Sequence, residues 1–331
     1  MAIRSVSRAR VLVPVGLLVA AGAVAAALQG QSGGVEGRPQ MSVVADTTST
    51  TPPRVTAVTP ATPDTPTDTP TAAAPSTAAP TPAAAPATTP ATSAGAAAAA
   101  LRSAVDRAEG AVSVAVTDLG TGQSLSYGGP GHGFATASIV KLDILAALLL
   151  RTQDVGSTPT AAQRDLATTM IENSDNDSAT GLWDEIGGDP GLDAANARFG
   201  LTSTEAGQDG YWGLTSTTAD DQLRLLRQVF TDDSLLSATS RTYIQELLDQ
   251  VEDDQRWGVG AAASNGGFEV KNGWLPRDSD GLWVINSIGR VERDGHELLI
   301  AVVSDGNPTD TDGVDLVESV ARAAAEAVTG G

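Results

Sequence analysis

Ser138-Ile139-Val140-Lys141, running on into Leu142-Asp143-Ile144-Leu145 and Leu148-Leu149, is the stretch on which the fold turns. Ile144, Leu145, Leu148 and Leu149 recur at the spacing of one helical face, which predicts a strongly apolar helix over about Ala137–Arg151. Lys141 and Asp143 are its only charges before Arg151, so the helix belongs at the centre of a domain. Ser138 and Lys141 stand three residues apart, so they share a face and the amine can approach the hydroxyl oxygen. A serine hydroxyl is a poor nucleophile until a base accepts its proton. Alone, this pattern describes an ordinary surface pair equally well.

Lys141 is one of only two lysines, and the second, Lys271, opens Lys271-Asn272-Gly273; all other basic side chains, bar two histidines, are arginines. Arginine stays charged in a protein, whereas burial or a neighbouring cation can strip a lysine of its proton. Such a chain uses lysine where chemistry can require a neutral amine.

Outward from the nucleophile helix, Ala97–Ala108 has a helical pattern and Ala111–Val116 alternates as a strand. Gly120-Thr121-Gly122 turns the chain into a second strand at about Gln123–Tyr127. Further helical patterns cover Ala161–Glu172, Ser178–Ile186, Thr218–Phe230 and Thr239–Val251. The period then changes to two over Phe268–Leu275, Leu282–Val291 and Leu298–Ser304, before a last helix at about Asp312–Val328. The expected fold class is α/β (α+β): an antiparallel sheet built from both ends of the domain with flanking helices, and an inserted all-α subdomain.

Ser174-Asp175-Asn176 lies at a break between two helical patterns, and Lys271-Asn272-Gly273 in the first strand after them. With Ser138-x-x-Lys141, this ordered set resembles the class A β-lactamase and penicillin-binding protein superfamily, whose signature is Ser-x-x-Lys, Ser-Asp-Asn and Lys-Thr-Gly. The resemblance covers about residues 97–328, and Arg256-Trp257-Gly258-Val259-Gly260 ahead of the third motif supports it. It implies that Ser138 is the acylated nucleophile, Lys141 its proton acceptor, and Ser174 the relay to the departing nitrogen. Asn176 would hold a substrate amide and orient Lys141, while Lys271 would face a substrate carboxylate and keep Ser174 poised. Asn272, Gly273 and Trp274 would contact substrate, the backbone N–H groups of Ser138 and Trp274 forming the oxyanion hole. Gly273 would let the substrate backbone lie close against the strand.

Three departures bear on activity. Asn272 stands where Thr or Ser is usual, Ser174 follows Ser138 by only 36 residues, and the loop Thr202–Trp212 lacks the Glu-x-x-Leu-Asn pattern that activates water in class A enzymes. Glu205 and Asp209 are the only carboxylates there, and each is a candidate deacylation base. His132 and His296, in a Gly-rich loop and ahead of a strand, suit a triad with Ser138 poorly. Asp175, Asp177 and Asp184 read as helix-capping residues; no metal or cofactor is expected.

The ends of the chain are of another kind. Arg4, Arg8 and Arg10 precede the uncharged run Val11–Leu28, so residues 1–30 read as a signal peptide, cleaved near Ala25-Ala26-Ala27, or as a retained membrane anchor. Residues 31–95, rich in Thr, Pro and Ala, read as a disordered linker, and residues 96–331 as the hydrolase domain. With no cysteine, neither a disulfide nor a lipidated thiol is available. From residue 97 onward there are 15 Lys plus Arg against 36 Asp plus Glu, which argues against nucleic acid and against docking on anionic lipid.

The expectation is therefore an exported, extracellular or envelope-bound serine hydrolase, monomeric, touching a membrane only through its N-terminal segment. Its substrate would be a small-molecule β-lactam or a peptidoglycan peptide. Three functions stay open: a β-lactamase, a penicillin-binding protein or D-alanyl peptidase with slow deacylation, and a non-catalytic envelope module.

Overall fold

The computed structural model describes residues 90–129, 131–264, 267–277 and 279–330. The leader expected at 1–30 and nearly all of the linker expected at 31–95 lie outside the described residues. The first helix, α1 (Pro90–Asp106), begins within the stretch assigned to the linker. A hairpin follows, β1 (Ala111–Asp118) and β2 (Ser124–Tyr127), then the short β3 (Phe134–Ala135). A 3₁₀ turn at Ala137–Ile139 leads into α2 (Val140–Asp154). Three helices come next: α3 (Ala161–Glu172), α4 (Asn176–Ile186) and α5 (Gly188–Phe199). After β4 (Ser216–Thr217) come α6 (Ala219–Phe230) and α7 (Ala238–Asp249). The chain closes with β5 (Phe268–Pro276), β6 (Trp283–Arg293), β7 (His296–Asn307) and α8 (Asp310–Thr329).

The main sheet has the order β2-β1-β7-β6-β5. Every neighbouring pair in it is antiparallel, and Val114 of β1 sits opposite Val302 of β7, so the two ends of the domain meet at its centre. Leu298–Ser304 of β7 are buried without interruption, which requires cover on both faces. α8 packs on β1, β6 and β7, and α6 reaches the same three strands. The architecture is the one expected: a mixed fold with helices flanking an antiparallel sheet and a helical region inserted between its N- and C-terminal parts.

Three elements escaped the sequence: α5, β3 and β4. Gly188, Pro190 and Gly191 read as a turn, yet they form the first turn of α5, where proline needs no amide partner. Gly191 belongs there because a Cβ would come within 2.0 Å of the Ile186 carbonyl oxygen. The pairing of β3 with β4, Phe134 opposite Thr217, is too short to show a period. The nucleophile helix also begins later than expected, Ser138 lying in the 3₁₀ turn ahead of it.

α2 is buried over almost its whole length, including Lys141 and Asp143. Among the described residues, neither carboxylate oxygen of Asp143 is within hydrogen-bonding geometry of a partner, the nearby Asn196 amide being the one group that opposes the rise of its pKa. Burial pushes the Asp143 carboxyl up to about 8, with Asp193 and Asp221 acting in the same direction.

Candidate active site

Ser138 sits half-buried between two pieces of strained or crowded backbone. Ala137 before it is left-handed at φ 46°, a conformation that an alanine adopts only when its surroundings impose it. Those surroundings are polar and specific. The Thr136 N–H donates to the Thr215 carbonyl at 2.8 Å, and the Asn286 amide donates to the carbonyls of Ala135 and Thr136 at 2.8 and 2.9 Å. Asn286 Oδ1 in turn accepts from the Ser304 N–H at 3.0 Å, tying the turn to β6 and β7.

Gly273, opposite Asn286 in the β5–β6 register, closes the other side. A Cβ at this position would lie 2.6 Å from Ser138 N, 2.8 Å from Ile139 N and 2.8 Å from Thr136 O. The missing side chain therefore makes room for the backbone at Ser138, where the expectation was that it makes room for substrate.

The amine of Lys141 lies 3.0 Å from Ser138 Oγ and donates to the Ser174 carbonyl at 2.5 Å and Asn176 Oδ1 at 2.8 Å. Ser174 Oγ lies 3.1 Å from Lys141 Nζ and 3.0 Å from Lys271 Nζ, so one hydroxyl joins the two amines. Ser174 is itself left-handed at φ 55°, in the link from α3 to α4. Asp175 beside it caps α4, accepting from the Ser178 N–H at 2.7 Å.

Both lysines are fully buried. Burial pushes Lys141 down to about 8, although Asp175 opposes this, and it pushes Lys271 down to about 7 with the Lys141 cation adding to the effect. Two amines that hold their protons less tightly than usual and share one hydroxyl can, once Lys141 is neutral, take a proton from Ser138 and pass it on.

The sequence-derived set thus divides. Ser138, Lys141, Ser174, Asn176 and Lys271 come together. Asn272 does not join them: it is completely buried, and its amide donates to the Gln255 and Trp257 carbonyls at 2.8 and 3.0 Å. It anchors the segment ahead of β5 and is withdrawn as a substrate contact. Trp274 lines the cleft beside Ser138, about 40% exposed.

The cleft has a volume of about 670 Å³ and is bounded by Ser138, Asn176, the loop Gly210–Leu214 and β5 from Trp274 onward. Glu205 and Asp209 are absent from its lining. Glu205 is exposed, its backbone bridged to Ser216, and Asp209 is exposed at the turn before Gly210. Neither fits the role of deacylation base. What the loop presents instead is Trp212, whose ring centroid lies 5.1 Å from Lys141 Nζ and whose indole N–H donates to Thr180 Oγ1 at 3.2 Å. Trp212 and Asn286 went unmarked in the sequence, because loop and strand residues carry no spacing signal for a contact made across the fold.

Comparisons with known proteins agree with this fold. A family model described as "Beta-lactamase enzyme family" matches residues 150–328, beginning after Ser138 and Lys141. A β-lactamase from Xanthomonas campestris pv. campestris superposes with a TM-score of 0.60 at 18% identity, covering 70% of this chain and 97% of that one. The structure of PBP-A superposes with a TM-score of 0.60 at 20% identity, over 69% and 93% of the two chains. Among curated proteins, "Putative lipoprotein LppW" of Mycobacterium tuberculosis is 35% identical over 113 residues, 34% of this chain and 36% of that protein's length. With more than half of its length matched by the family model, the chain belongs to the Beta-lactamase enzyme family.

Proposed function

We propose that the protein is a serine acyl-transfer enzyme of the penicillin-binding type, forming an acyl-enzyme on Ser138 and releasing it slowly. The observation that carries this reading is the connected series Ser138 Oγ, Lys141 Nζ, Ser174 Oγ and Lys271 Nζ, each step 3.0–3.1 Å long.

Neutral Lys141 takes the proton from Ser138 as Oγ attacks the substrate carbonyl carbon. The developing oxyanion is met by the backbone N–H groups of Ser138 and Trp274. The proton passes from Lys141 through Ser174 to the departing nitrogen, the C–N bond breaks, and an ester on Ser138 remains. Asn176 holds Lys141 through its side-chain oxygen, and its NH2, without a partner among the described residues, would meet a substrate carbonyl. Lys271 supplies positive charge on the leaving-group side.

Slow release follows from the loop. Hydrolysis of the ester needs a base for water, and none of the described residues lining the cleft is a carboxylate. Trp212 covers Lys141 on the loop side. This favours a penicillin-binding protein or D-alanyl peptidase over a β-lactamase with rapid turnover. Residues 1–30, read as a leader or anchor, and the lipoprotein name of the mycobacterial relative support placement at the cell envelope.

Incubation with benzylpenicillin followed by intact-mass spectrometry tests the reading. The expected result is a stable penicilloyl adduct that maps to Ser138 and is absent from Ser138→Ala. Rapid loss of the adduct would restore the β-lactamase reading, and failure to form one would leave the non-catalytic module.

A further inference from the structure

The cleft has two chemically different ends, and this inference rests on the acyl-transfer reading above. Ser174, which returns the proton to the departing nitrogen, lies with Lys271 at one end of the site. The acyl part of a substrate must therefore extend the opposite way, along β5 from Trp274 towards Arg277. Three of the large apolar side chains that the protein leaves exposed stand around that end: Tyr211 at 66%, Leu214 at 47% and Trp274 at 40%. Exposed apolar side chains gathered on a cavity of about 670 Å³ mark a place where a ligand supplies the missing contact.

Arg277 is the only charged side chain among the described residues lining this cleft. Its backbone is held in the β5–β6 turn, its N–H donating to Leu282 O and its carbonyl accepting from Gly281 N, both at 2.8 Å. Among the described residues its guanidinium has neither an ion pair nor a hydrogen bond, while the nearby Asp280 is occupied with the Leu282 N–H at 2.9 Å. On the other side of Trp274, a pocket of about 300 Å³ is lined by Asp254, Gln255, Trp257 and Asp310, so the charge there is of opposite sign. In a chain of net charge −20, an arginine that has no partner among the described residues and lines the cleft attracts an anion locally where the rest of the surface repels one.

We infer that the Tyr211–Leu214–Arg277 end of the cleft is an acyl-arm subsite for a donor whose arm carries an apolar or aromatic group together with a carboxylate. A β-lactam with such a side chain and an acidic peptide with an apolar residue near the reacting carbonyl both meet this description.

Three penicillins that share one bicyclic nucleus separate the arm from the leaving group: those with phenylacetyl, α-carboxyphenylacetyl and α-aminophenylacetyl side chains. The measurement is the second-order rate of Ser138 acylation on the full chain, followed by intact mass. The expected ratio of carboxy to amino probe is about tenfold at low salt, from two opposite charges compared at contact distances near a surface. It shrinks in about 0.5 M salt. Arg277→Gln brings the ratio close to one and Arg277→Glu inverts it, with melting temperatures showing that both variants are folded. A ratio of one or less in the native protein, or one that Arg277→Glu leaves unchanged, overturns the inference while leaving acyl transfer intact. Absence of an adduct with all three probes removes the acyl-transfer reading and this subsite with it.

Discussion

The ring of Trp212 lies 5.1 Å from the amine of Lys141 and lines the same cleft as Ser138. An indole can stabilise an ammonium through its π face, but it cannot take a proton from water. Trp212→Glu places a carboxylate against the same cleft, and the lifetime of the penicilloyl enzyme should shorten by at least about tenfold, within the range of a positioned general base. Trp212→Ala should not shorten it comparably, because it admits water without activating it. Adduct decay followed by mass spectrometry distinguishes the two.

The buried amines give acylation a pH dependence of known sign. Lys141 can accept the Ser138 proton only when neutral, and burial pushes it down to about 8, with Lys271 pushed to about 7. The acylation rate should rise with pH through the 7–8 region and level off above it, the two apparent values belonging to the coupled pair. Lys141→Arg, which cannot lose its proton, should lower acylation by about 10³-fold at every pH. Both lysines bind protons more weakly folded than unfolded, so their contribution to stability rises with pH from about 7 towards the ordinary lysine value.

Asp143 acts with the opposite sign. Its folded carboxyl is raised to about 8 by burial, so from its usual value near 4 up to 8 the folded state holds a proton that the unfolded chain has released. This contribution to stability is complete at acidic pH and is lost as pH rises through 8. Asp143→Asn removes the titration, and its melting temperature should gain on the native protein progressively between pH 5 and pH 8.

Gly273→Ala tests the crowding behind the nucleophile. The added methyl meets backbone atoms of Ser138, Ile139 and Thr136 at 2.6–2.8 Å, and backbone cannot rotate away as a side chain could. The expected cost is about 1–3 kcal/mol of stability. Acylation should fall by at least about 10²-fold, since a 1 Å displacement of a reacting group costs that much. Retained acylation would mean that the strand yields instead of Ser138.

Asn286→Ala removes the donor shared by Ala135 and Thr136, which takes that partner from the Ala135 carbonyl and the Ser304 N–H and leaves the Thr136 carbonyl with only the 3.4 Å contact from the Ile139 N–H. A loss of about 3 kcal/mol is expected from those orphaned groups. With Ala137 released from its left-handed conformation, acylation should also drop at temperatures where the variant is still folded. Chemical denaturation and acylation rate, measured together, separate the two effects.

The main elements were readable because they carry a period. Alternation over Phe268–Leu275 announced β5 and the apolar face after Ser138 announced α2, whereas β7, expected at a period of two, is a continuous apolar run buried on both faces. α5 was hidden by Gly188, Pro190 and Gly191, which serve a helix start as well as they serve a turn. Asn272 was misassigned because a motif position says nothing about which way a side chain turns, and the carbonyls of Gln255 and Trp257 claim it.

By itself, the sequence determined which groups are available for catalysis: two lysines in a chain that otherwise uses arginine, each in a motif beside a serine or a glycine, and placed on elements whose periods can be counted. Only the tertiary structure decided what surrounds them. That Ser174 bridges both amines, that Gly273 makes room for Ser138 and that the Trp212 ring stands over Lys141 are contacts between segments up to 135 residues apart in the chain. Spacing along a helix or strand reports local geometry, whereas these contacts arise from the packing of separate elements, which leaves no periodic trace.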